Sequence, residues 1–510
     1  MRSGLSRREL FKLGGLSLAA SVIPGIASTA AAQTPRGKAG RQSQLRNVIM
    51  LVSDGMSAGV VSLADSFSRL VRDKDTSTHW VRLMQTPGVA QGMVETYSLN
   101  SMVTDSAAAA SAWGSGSRVN NGSINILPNG TKLTPLATLL KQAGKRVGLL
   151  TTCSATHATP AGFAAVQPKR GNEREIAIDY LNSDIDVVMG GGRLFFEPGK
   201  YEDQRDLTSE FTQKGHAYCR NRNDLLAAQK NAPAKILGLF TDGYLPFTVD
   251  RNQSAELQQD VPTLEEMTRA AIASLSQGPN GFFLMVEGGR VDHAAHANDT
   301  AAALWDQLAF DDAIGAALEF AAGRDDTLII VTTDHANSNP GLNSMGSKTG
   351  GTNNCFARIA NITGSAGVIH NAIRKAEGGA TPENVKQAIK QYTQLEIPDD
   401  HADTLARILR KEKISELSIH HANPVGVLGQ ILGNFTGIGW TSVSHTADYA
   451  TLSAIGVGAS NFAGFGRNID AFSHITRMLG IDHVNPSLTP AEAWRFVDAS
   501  QPLPDEVAMA

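Results

Sequence analysis

Short apolar runs recur along the chain, and segments with helical periodicity separate them. The first run, residues 47–52, has the pattern of a fully buried strand and is followed by a carboxylate, Asp54, and a glycine turn at Gly55. Further strands are predicted at residues 146–152, 185–189, 235–240, 282–286 and 327–333, with helices at residues 134–143 and 301–322. Strands that alternate with helices predict an α/β fold, with a central, mostly parallel β-sheet and helices on both of its faces.

Three acidic residues stand just beyond the last apolar residue of a predicted strand: Asp54, Glu287 and Asp334. In a sheet of this kind, ligands bind at the carboxyl ends of the strands. An ordinary α/β topology would therefore gather these three carboxylates at one edge of the sheet.

The length and composition of the chain limit the classes of protein to which it can belong. A chain of 510 residues suits about two or three domains, or one large domain with insertions. The hydrophobic content of 42% and the charged content of 18% are typical of a soluble globular protein. No internal run reaches the ~20 apolar residues of a membrane span, so we expect no membrane anchor. Residues 1–32 carry a net charge of +3, so the net charge of −4 becomes −7 without them, which argues against nucleic acid as a dedicated partner.

The N-terminal segment resembles a twin-arginine export signal. Arg7 and Arg8 precede a weakly apolar stretch of small residues, 13–30, which ends in an Ala-x-Ala-type cleavage site. We therefore predict that residues 1–32 are a signal peptide, that the twin-arginine translocation machinery is a partner, and that the mature protein is periplasmic or secreted.

The pattern changes between residues 341 and 440. A stretch rich in Gly, Asn and Ser, residues 344–354, is followed by predicted helices at residues 382–395, 402–409 and 425–432. We interpret residues 341–440 as an insertion between the last central strands, so that residues 33–340 and 441–510 form the main domain.

The cysteine count is too low and too scattered for a disulfide framework. Cys153, Cys219 and Cys355 are an odd number without close spacing. One bridge, such as Cys153–Cys219, stays open at this point.

Ser106 stands at the start of an alanine-rich helical segment that runs to Trp113. Backbone N–H groups and the helix dipole favour a bound phosphate at such a position, and we interpret Ser106 as a nucleophile. The alternative is an ordinary capped helix, because Ser and Asp are favoured at helix starts for capping alone.

Acidic and histidine residues crowd two segments of the chain. Residues 287–296 hold two acids and two histidines, of which Asp292 and His296 are four apart and would point the same way from one helical turn. Asp334 and His335 close another predicted strand. These are the ligand types that a divalent-metal cluster needs to activate a hydroxyl group.

Four motifs resemble those of the alkaline phosphatase family. They are Thr-Asp-Ser-Ala at 104–107 with Ala-x-Ala-Trp at 110–113, Glu-Gly-x-x-x-Asp-x-x-x-His at 287–296, Thr-x-Asp-His at 332–335, and x-x-Thr-Pro-Ala at 157–161. The resemblance covers residues 47–340 and 441–481, and it places the family's cap or crown at residues 341–440. It implies hydrolysis of small-molecule phosphate monoesters through a phosphoserine intermediate on Ser106.

The resemblance also implies two zinc ions and a third metal, and it assigns their ligands position by position. The first zinc site comprises Asp292, His296 and His445, the last assigned by its place in the family order. The second zinc site comprises Asp54, Asp334 and His335, completed by Ser106. The third site has oxygen donors suited to magnesium, namely Asp54, Thr159 and Glu287.

Arg170, eleven residues after Thr159, stands where the family places its phosphate-binding arginine, with Lys169 as the competing candidate. His157 and His293 depart from the best-known enterobacterial pattern, which has an acid and a lysine at these positions. An imidazole near the third site favours zinc or cobalt over magnesium there. His293 is expected near the phosphate without a catalytic role.

Two other functions are alternatives. A phosphodiesterase of the same superfamily commonly has a threonine nucleophile and lacks the arginine and the third-metal set. A non-catalytic exported protein that binds phosphate or metal ions would use the same ligands without turnover. The oligomeric state, monomer or homodimer, stays open.

Overall fold

The computed structural model describes residues 45–72, 76–199, 201–412, 414, 418 and 420–493, so the predicted signal peptide at 1–32 lies outside the described residues. The strands are β1 (Asn47–Val52), β2 (Ala90–Glu95), β3 (Arg146–Ser154), β4 (Val187–Gly191), β5 (His216–Cys219), β6 (Lys235–Leu239), β7 (Phe282–Glu287), β8 (Thr327–Thr332), β9 (Ala336–Asn337), β10 (Gly341–Leu342), β11 (Ile438–Gly439), β12 (His445–Thr446), β13 (Ala450–Gly456) and β14 (Gly464–Arg467).

Ten of these strands form one mixed, mostly parallel sheet in the order β14-β2-β13-β8-β1-β7-β3-β4-β6-β5. The run from β8 to β5 is parallel throughout. β13 is antiparallel to both of its neighbours, β8 and β2, while β14 returns parallel to β2. The predicted α/β sheet is thereby confirmed, and its antiparallel element lies toward one end.

Helices cover both faces of the sheet. They are α1 (Ala58–Val71), α2 (His79–Gln85), α3 (Ser106–Ser115), α4 (Leu136–Gln142), α5 (Ala158–Ala164), α6 (Glu173–Asn182), α7 (Leu207–Gln213), α8 (Arg222–Asn231), α9 (Thr248–Asn252), α10 (Ala255–Asp260), α11 (Leu264–Leu275), α12 (Arg290–His296), α13 (Thr300–Ala321), α14 (Thr352–Ala357), α15 (Ala366–Lys375), α16 (Pro382–Thr393), α17 (Asp399–Leu409), α18 (Pro424–Thr436), α19 (Asp470–Met478) and α20 (Pro490–Ala493). Because side chains alternate along a strand, β1 sends Val48 and Met50 into the core shared with α3 to α6, and Ile49 and Leu51 into the core shared with α11 and α13.

The predicted central strands agree with the observed ones to within about two residues at each end. The helix predicted for residues 134–143 begins later, at Leu136, because Pro135 keeps an extended backbone with ψ of 150° and serves as the residue before the helix. Four strands toward the ends of the sheet, β2, β5, β13 and β14, are not among the predicted ones.

Residues 341–440 contain the two short strands β10 and β11, which pair with each other, and the helices α14 to α18. Helices α15 to α18 share an apolar cluster of their own, which includes Ile369, Ile389 and Leu405. The chain then returns through β12, which pairs with β9, and enters the main sheet as β13.

All three cysteines lie within the described residues. Cys153 and Cys219 are buried and Cys355 is partly exposed, and all three are free, so the bridge left open by the sequence is not formed.

Among the helices described, none has both the length and the apolar character to span a membrane.

Helix α3, which begins at Ser106, packs closely against α5 through small residues. A β-carbon placed on Gly114 would lie 1.9 Å from the carbonyl oxygen of Gly162, and one placed on Gly162 would lie 2.5 Å from Ala110 Cβ. Such backbone contact requires glycine at both positions, and it fixes α3 relative to the helix that carries Thr159.

We expect the substitution Gly114→Ala to lower the stability of the protein. Overpacking a tight contact costs about 1–3 kcal/mol, which exceeds the gain of about 1 kcal/mol from replacing a helical glycine. The midpoint of urea unfolding measures the change. Gly243→Ala is the matched control, because its new methyl group would meet no atom within 4 Å. Equal midpoints for the two variants would contradict this account of the helix contact.

Candidate metal centre

Three neighbouring parallel strands carry acidic residues to one edge of the sheet. Val52, at the end of β1, is in register with Glu287 of β7 and with Thr332 of β8. Asp54 and Asp334 follow directly after β1 and β8. The Gly55 N–H donates to Asp334 Oδ1 at 3.0 Å, and Gly55 has a φ of 66° that glycine adopts readily. The carboxylates that the sequence places at strand ends thus lie at a common edge.

A first group of ligand atoms forms between α12 and β12. Asp292, His296 and His445 place one ligand atom each within 4.8 Å of one another. Nε2 of His296 and Nε2 of His445 are 3.0 Å apart, while Nδ1 of each faces a backbone carbonyl, that of Val443 at 2.7 Å and that of Thr104 at 2.9 Å.

These carbonyls can only accept, so each Nδ1 carries a proton and each Nε2 faces the other ring. Two imidazole nitrogens this close together can both bind one divalent cation. The Asp292 oxygens lie 3.4 and 3.5 Å from the Nε2 atoms of His296 and His445 and complete the set. The geometry therefore fits a divalent cation with mixed imidazole and carboxylate ligands.

A second group surrounds Nε2 of His335. This atom lies 3.2 Å from Asp334 Oδ2, 3.5 Å from Asp54 Oδ1 and 3.3 Å from Ser106 Oγ. The His335 ring also stacks on the His445 ring, with centroids 3.7 Å apart, which joins this group to the first. Asp292 lies close to Asp54 and His335 as well, so it stands between the two groups.

A third group comprises Asp54, His157 and Glu287. Nδ1 of His157 lies 3.1 Å from Glu287 Oε1 and 3.9 Å from Asp54 Oδ2. Thr159, in the first turn of α5, has a fully buried hydroxyl group. The structure thus adds an imidazole to the predicted third-site oxygen donors Asp54 and Glu287.

Buried oxygen atoms in these groups lack hydrogen-bond partners within the described residues. They are both carboxylate oxygens of Asp54, Oδ2 of Asp334, Oε2 of Glu287 and Oγ1 of Thr159. Unpaired buried polar atoms are costly, and several carboxylates repel one another at this range. A set of cations would satisfy both demands, so the residues present fit metal binding.

The pKa values show the same crowding of charge. Burial, followed by the charges of Asp334 and Asp292, raises the pKa of Asp54 well above its ordinary value. Burial raises the pKa of Asp334 to about 7 and lowers that of His335. Burial would also raise the pKa of Asp292, but a hydrogen bond to His445 and the neighbouring imidazoles hold it well below its usual range.

Arg170 is a partly exposed cation that contacts the third group. Its Nη1 donates to Asp105 Oδ2 at 3.2 Å, and its Nη2 lies 3.1 Å from His157 Nε2. The side chain is 33% exposed, so it can reach an anion in solvent while Asp105 holds it. Lys169, the competing candidate, is exposed.

His293 lies beside the third group. Its Nδ1 accepts from Arg290 Nη1 at 2.7 Å, and its ring centroid is 4.6 Å from that of Tyr244. Burial, reinforced by the charge of Arg290, lowers the pKa of His293 to about 3, so the ring is neutral. Together with the three groups and Arg170, this places all of the predicted site residues in one region.

Three supporting residues were not assigned roles from the sequence. Asp105 accepts from the backbone N–H of Ala108 and from Arg170, so it caps α3 and holds the arginine. Asn337 donates from Nδ2 to Asp292 Oδ1 at 2.7 Å, and Arg290 bonds His293. Each lies within two residues of a predicted ligand or nucleophile in the sequence, which is the one signal that could have indicated them.

Comparisons with known proteins agree on one family. The family model described as alkaline phosphatase matches residues 45–481. Alkaline phosphatase 4 of Bacillus subtilis is 31% identical over 457 residues, covering 88% of this chain and 92% of the relative. Alkaline phosphatase 3 of the same organism is 30% identical over 478 residues, which cover 92% of this chain and 97% of the relative. The crystal structure of Thermus thermophilus alkaline phosphatase is similar at a TM-score of 0.81 and 32% identity, covering 91% of this chain and 99% of that one.

We expect removal of divalent cations to lower the thermal unfolding midpoint, and Asp54→Asn to reduce that effect. One site filled at a hundredfold excess over its dissociation constant adds about 2.7 kcal/mol. Asp54 belongs to two of the groups, so its loss weakens binding. In the metal-free state the same substitution relieves repulsion among buried carboxylates, so there the variant should unfold at a higher temperature than the natural protein.

Scanning calorimetry with and without a chelator measures the four midpoints. Asp403→Asn, which removes an exposed carboxylate, is the control and should shift both midpoints equally. If Asp54→Asn behaved like Asp403→Asn, the centre would not be a cation site.

Proposed function

The chain belongs to the alkaline phosphatase family and is a phosphomonoester hydrolase, and we propose that it acts through a phosphoserine formed on Ser106. The observation that carries the proposal is the position of Ser106 Oγ. It lies at the first residue of α3 and 3.3 Å from His335 Nε2, the atom that also lies 3.2 Å from Asp334 and 3.5 Å from Asp54. A hydroxyl group in that position meets both a metal-ligand group and the N-terminal end of a helix dipole.

We propose two zinc ions and one further divalent cation as cofactors. The first group is Asp292, His296 and His445, and the second is Asp54, Asp334 and His335 with Ser106. Both mix nitrogen and oxygen donors, as zinc prefers. The third group, Asp54, Thr159 and Glu287 with His157, would hold magnesium, or zinc or cobalt in its place. When bound, such cations lower the pKa of a hydroxyl group and stabilise negative charge on phosphoryl and leaving oxygens.

Ser106 Oγ attacks the phosphorus atom in line with the ester oxygen. The Oγ–P bond forms as the P–O bond to the alcohol breaks, and the serine proton passes to water. The departing oxygen takes up a proton from water and leaves as the alcohol. A water molecule then attacks the phosphoserine, the Oγ–P bond breaks and inorganic phosphate forms. Ser106 recovers its proton, so the second step restores the starting state.

Arg170 orients the phosphoryl group. Its guanidinium can present two parallel N–H groups to two phosphoryl oxygens, and Asp105 keeps it aimed at the centre. Because recognition is concentrated on the phosphoryl group, we propose that the enzyme accepts monoesters of varied alcohols.

We also propose export through the twin-arginine route to the periplasm or the exterior. Arg7, Arg8 and the small-residue stretch that follows support this proposal. Export of a folded protein suits an enzyme whose metal ligands come from distant parts of the chain.

We expect Ser106→Ala to lower the turnover number on a nitrophenyl phosphate monoester by at least about 1,000-fold, because the nucleophile is lost. Acid quenching of the natural protein with labelled monoester should leave one phosphate on Ser106, located by peptide mass spectrometry. The exposed Ser62→Ala is the control and should keep full activity. Full activity in Ser106→Ala, or a higher rate on the matching diester than on the monoester, would contradict the proposal.

We expect Arg170→Ala to lower kcat/KM by about 10- to 100-fold and to weaken inhibition by inorganic phosphate, because hydrogen bonds to a charged group are worth about 1.5–3 kcal/mol. Steady-state kinetics measure both effects. Lys169→Ala, the neighbouring exposed cation, is the matched control and should change kcat/KM by less than about twofold. The reverse order of effects would assign phosphate binding to Lys169.

A further inference from the structure

One buried thiol faces the third ligand group. Cys153, near the end of β3, has no exposed surface, and its Sγ lies 3.8 Å from His293 Nδ1. Cys153, His157 and His293 each offer a ligand atom, and the three atoms lie within 4.8 Å of one another. His157 is also part of the trio with Asp54 and Glu287, so the two trios adjoin.

The local backbone explains why the thiol points into this space. The pairing of β3 with β4 shifts register between Leu150 and Ser154, and an irregularity of this kind turns a side chain out of the ordinary strand alternation. The chain opposite leaves room for the sulfur, because a β-carbon placed on Gly289 would lie 2.6 Å from Cys153 Sγ and 3.2 Å from Glu287 Oε1. The sulfur therefore lies close to a ligand carboxylate.

A second observation indicates that a cation belongs here. Glu287 Oε2 is fully buried without a hydrogen-bond partner within the described residues, and the Asp54 carboxylate beside it is in the same condition. Both carboxylates lie on the Nδ1 side of the His157 ring. His157 Nδ1 is 3.1 Å from Glu287 Oε1 and 3.9 Å from Asp54 Oδ2.

We propose that Cys153 is a metal ligand, and that with His293 it extends the third group of Asp54, Glu287 and His157, which then binds a zinc or cobalt ion in place of magnesium. The inference rests on the proposed function only in that it takes the centre to be metal-loaded. Sγ donates an electron pair to the ion and the thiol proton passes to solvent. Thiolate and imidazole select zinc and cobalt, whereas magnesium requires oxygen ligands.

Metal binding would displace Arg290 from its contact with His293. Its Nη1 now occupies the lone pair of His293 Nδ1, and an ion between that nitrogen and Sγ would displace it. The Arg290 guanidinium also lies over the Phe247 ring, 3.6 Å from its centroid. We expect this cation–π contact to remain when the contact with His293 is lost.

Cobalt substitution tests the proposal directly. The full-length protein is stripped of metal, reloaded with Co²⁺ and measured in the near ultraviolet, where a thiolate bound to cobalt gives a charge-transfer band. We expect the band in the natural protein and in a Cys219→Ala/Cys355→Ala double variant, which keeps Cys153 alone. We expect its loss in Cys153→Ser. Absence of the band from fully cobalt-loaded natural protein, or its persistence in Cys153→Ser, would overturn the proposal.

Metal competition gives a second readout. We expect Cys153→Ser to lower the preference of the third site for Zn²⁺ over Mg²⁺ by at least about tenfold, measured by elemental analysis after equilibration with both ions. An unchanged preference would count against a thiolate ligand. Ser106→Ala should keep the cobalt band, so failure of the phosphoserine step and failure of the thiolate assignment give different results.

Discussion

Negative charge buried at one edge of the sheet is the constraint on which the centre depends. Strands β8, β1 and β7 lie side by side and parallel, so the acidic residues after them cannot separate without breaking the sheet. Asp54 has both oxygens buried and unpaired, and Asp334 and Glu287 each have one. Carboxylates held this way favour a cation strongly, because the protein offers them too few hydrogen-bond donors.

The remaining parts of the fold bring neutral ligands and the hydroxyl group to that charge. The contact of α3 with α5 through Gly114 and Gly162 fixes Ser106 relative to His157 and Thr159. Helix α12 presents Asp292 and His296 from one face, four residues apart. The backbone carbonyls of Thr104 and Val443 accept from Nδ1 of His445 and His296, so both Nε2 atoms face the centre.

Much of this could be predicted from the sequence, because buried parallel strands have continuous apolar runs and their terminal acids stand at recognisable positions. The central strands and the gathering of Asp54, Glu287 and Asp334 follow from that pattern. Short strands such as β5 carry no such run. The ion pair of Arg170 with Asp105 joins residues 65 positions apart, which the periodicity of apolar residues does not reveal. The orientation of Cys153 toward His293 depends on a register shift between β3 and β4, which periodicity does not reveal either.

His445 reaches the centre on β12, and β12 is held there by pairing with β9 after the whole of residues 341–440 has intervened. The ligands from β1 and α12 precede that excursion. Closing so long a loop is slow compared with forming local contacts. The first group is therefore complete only when β12 has paired with β9, so full metal binding depends on the fold that surrounds residues 341–440 as well as on the central sheet.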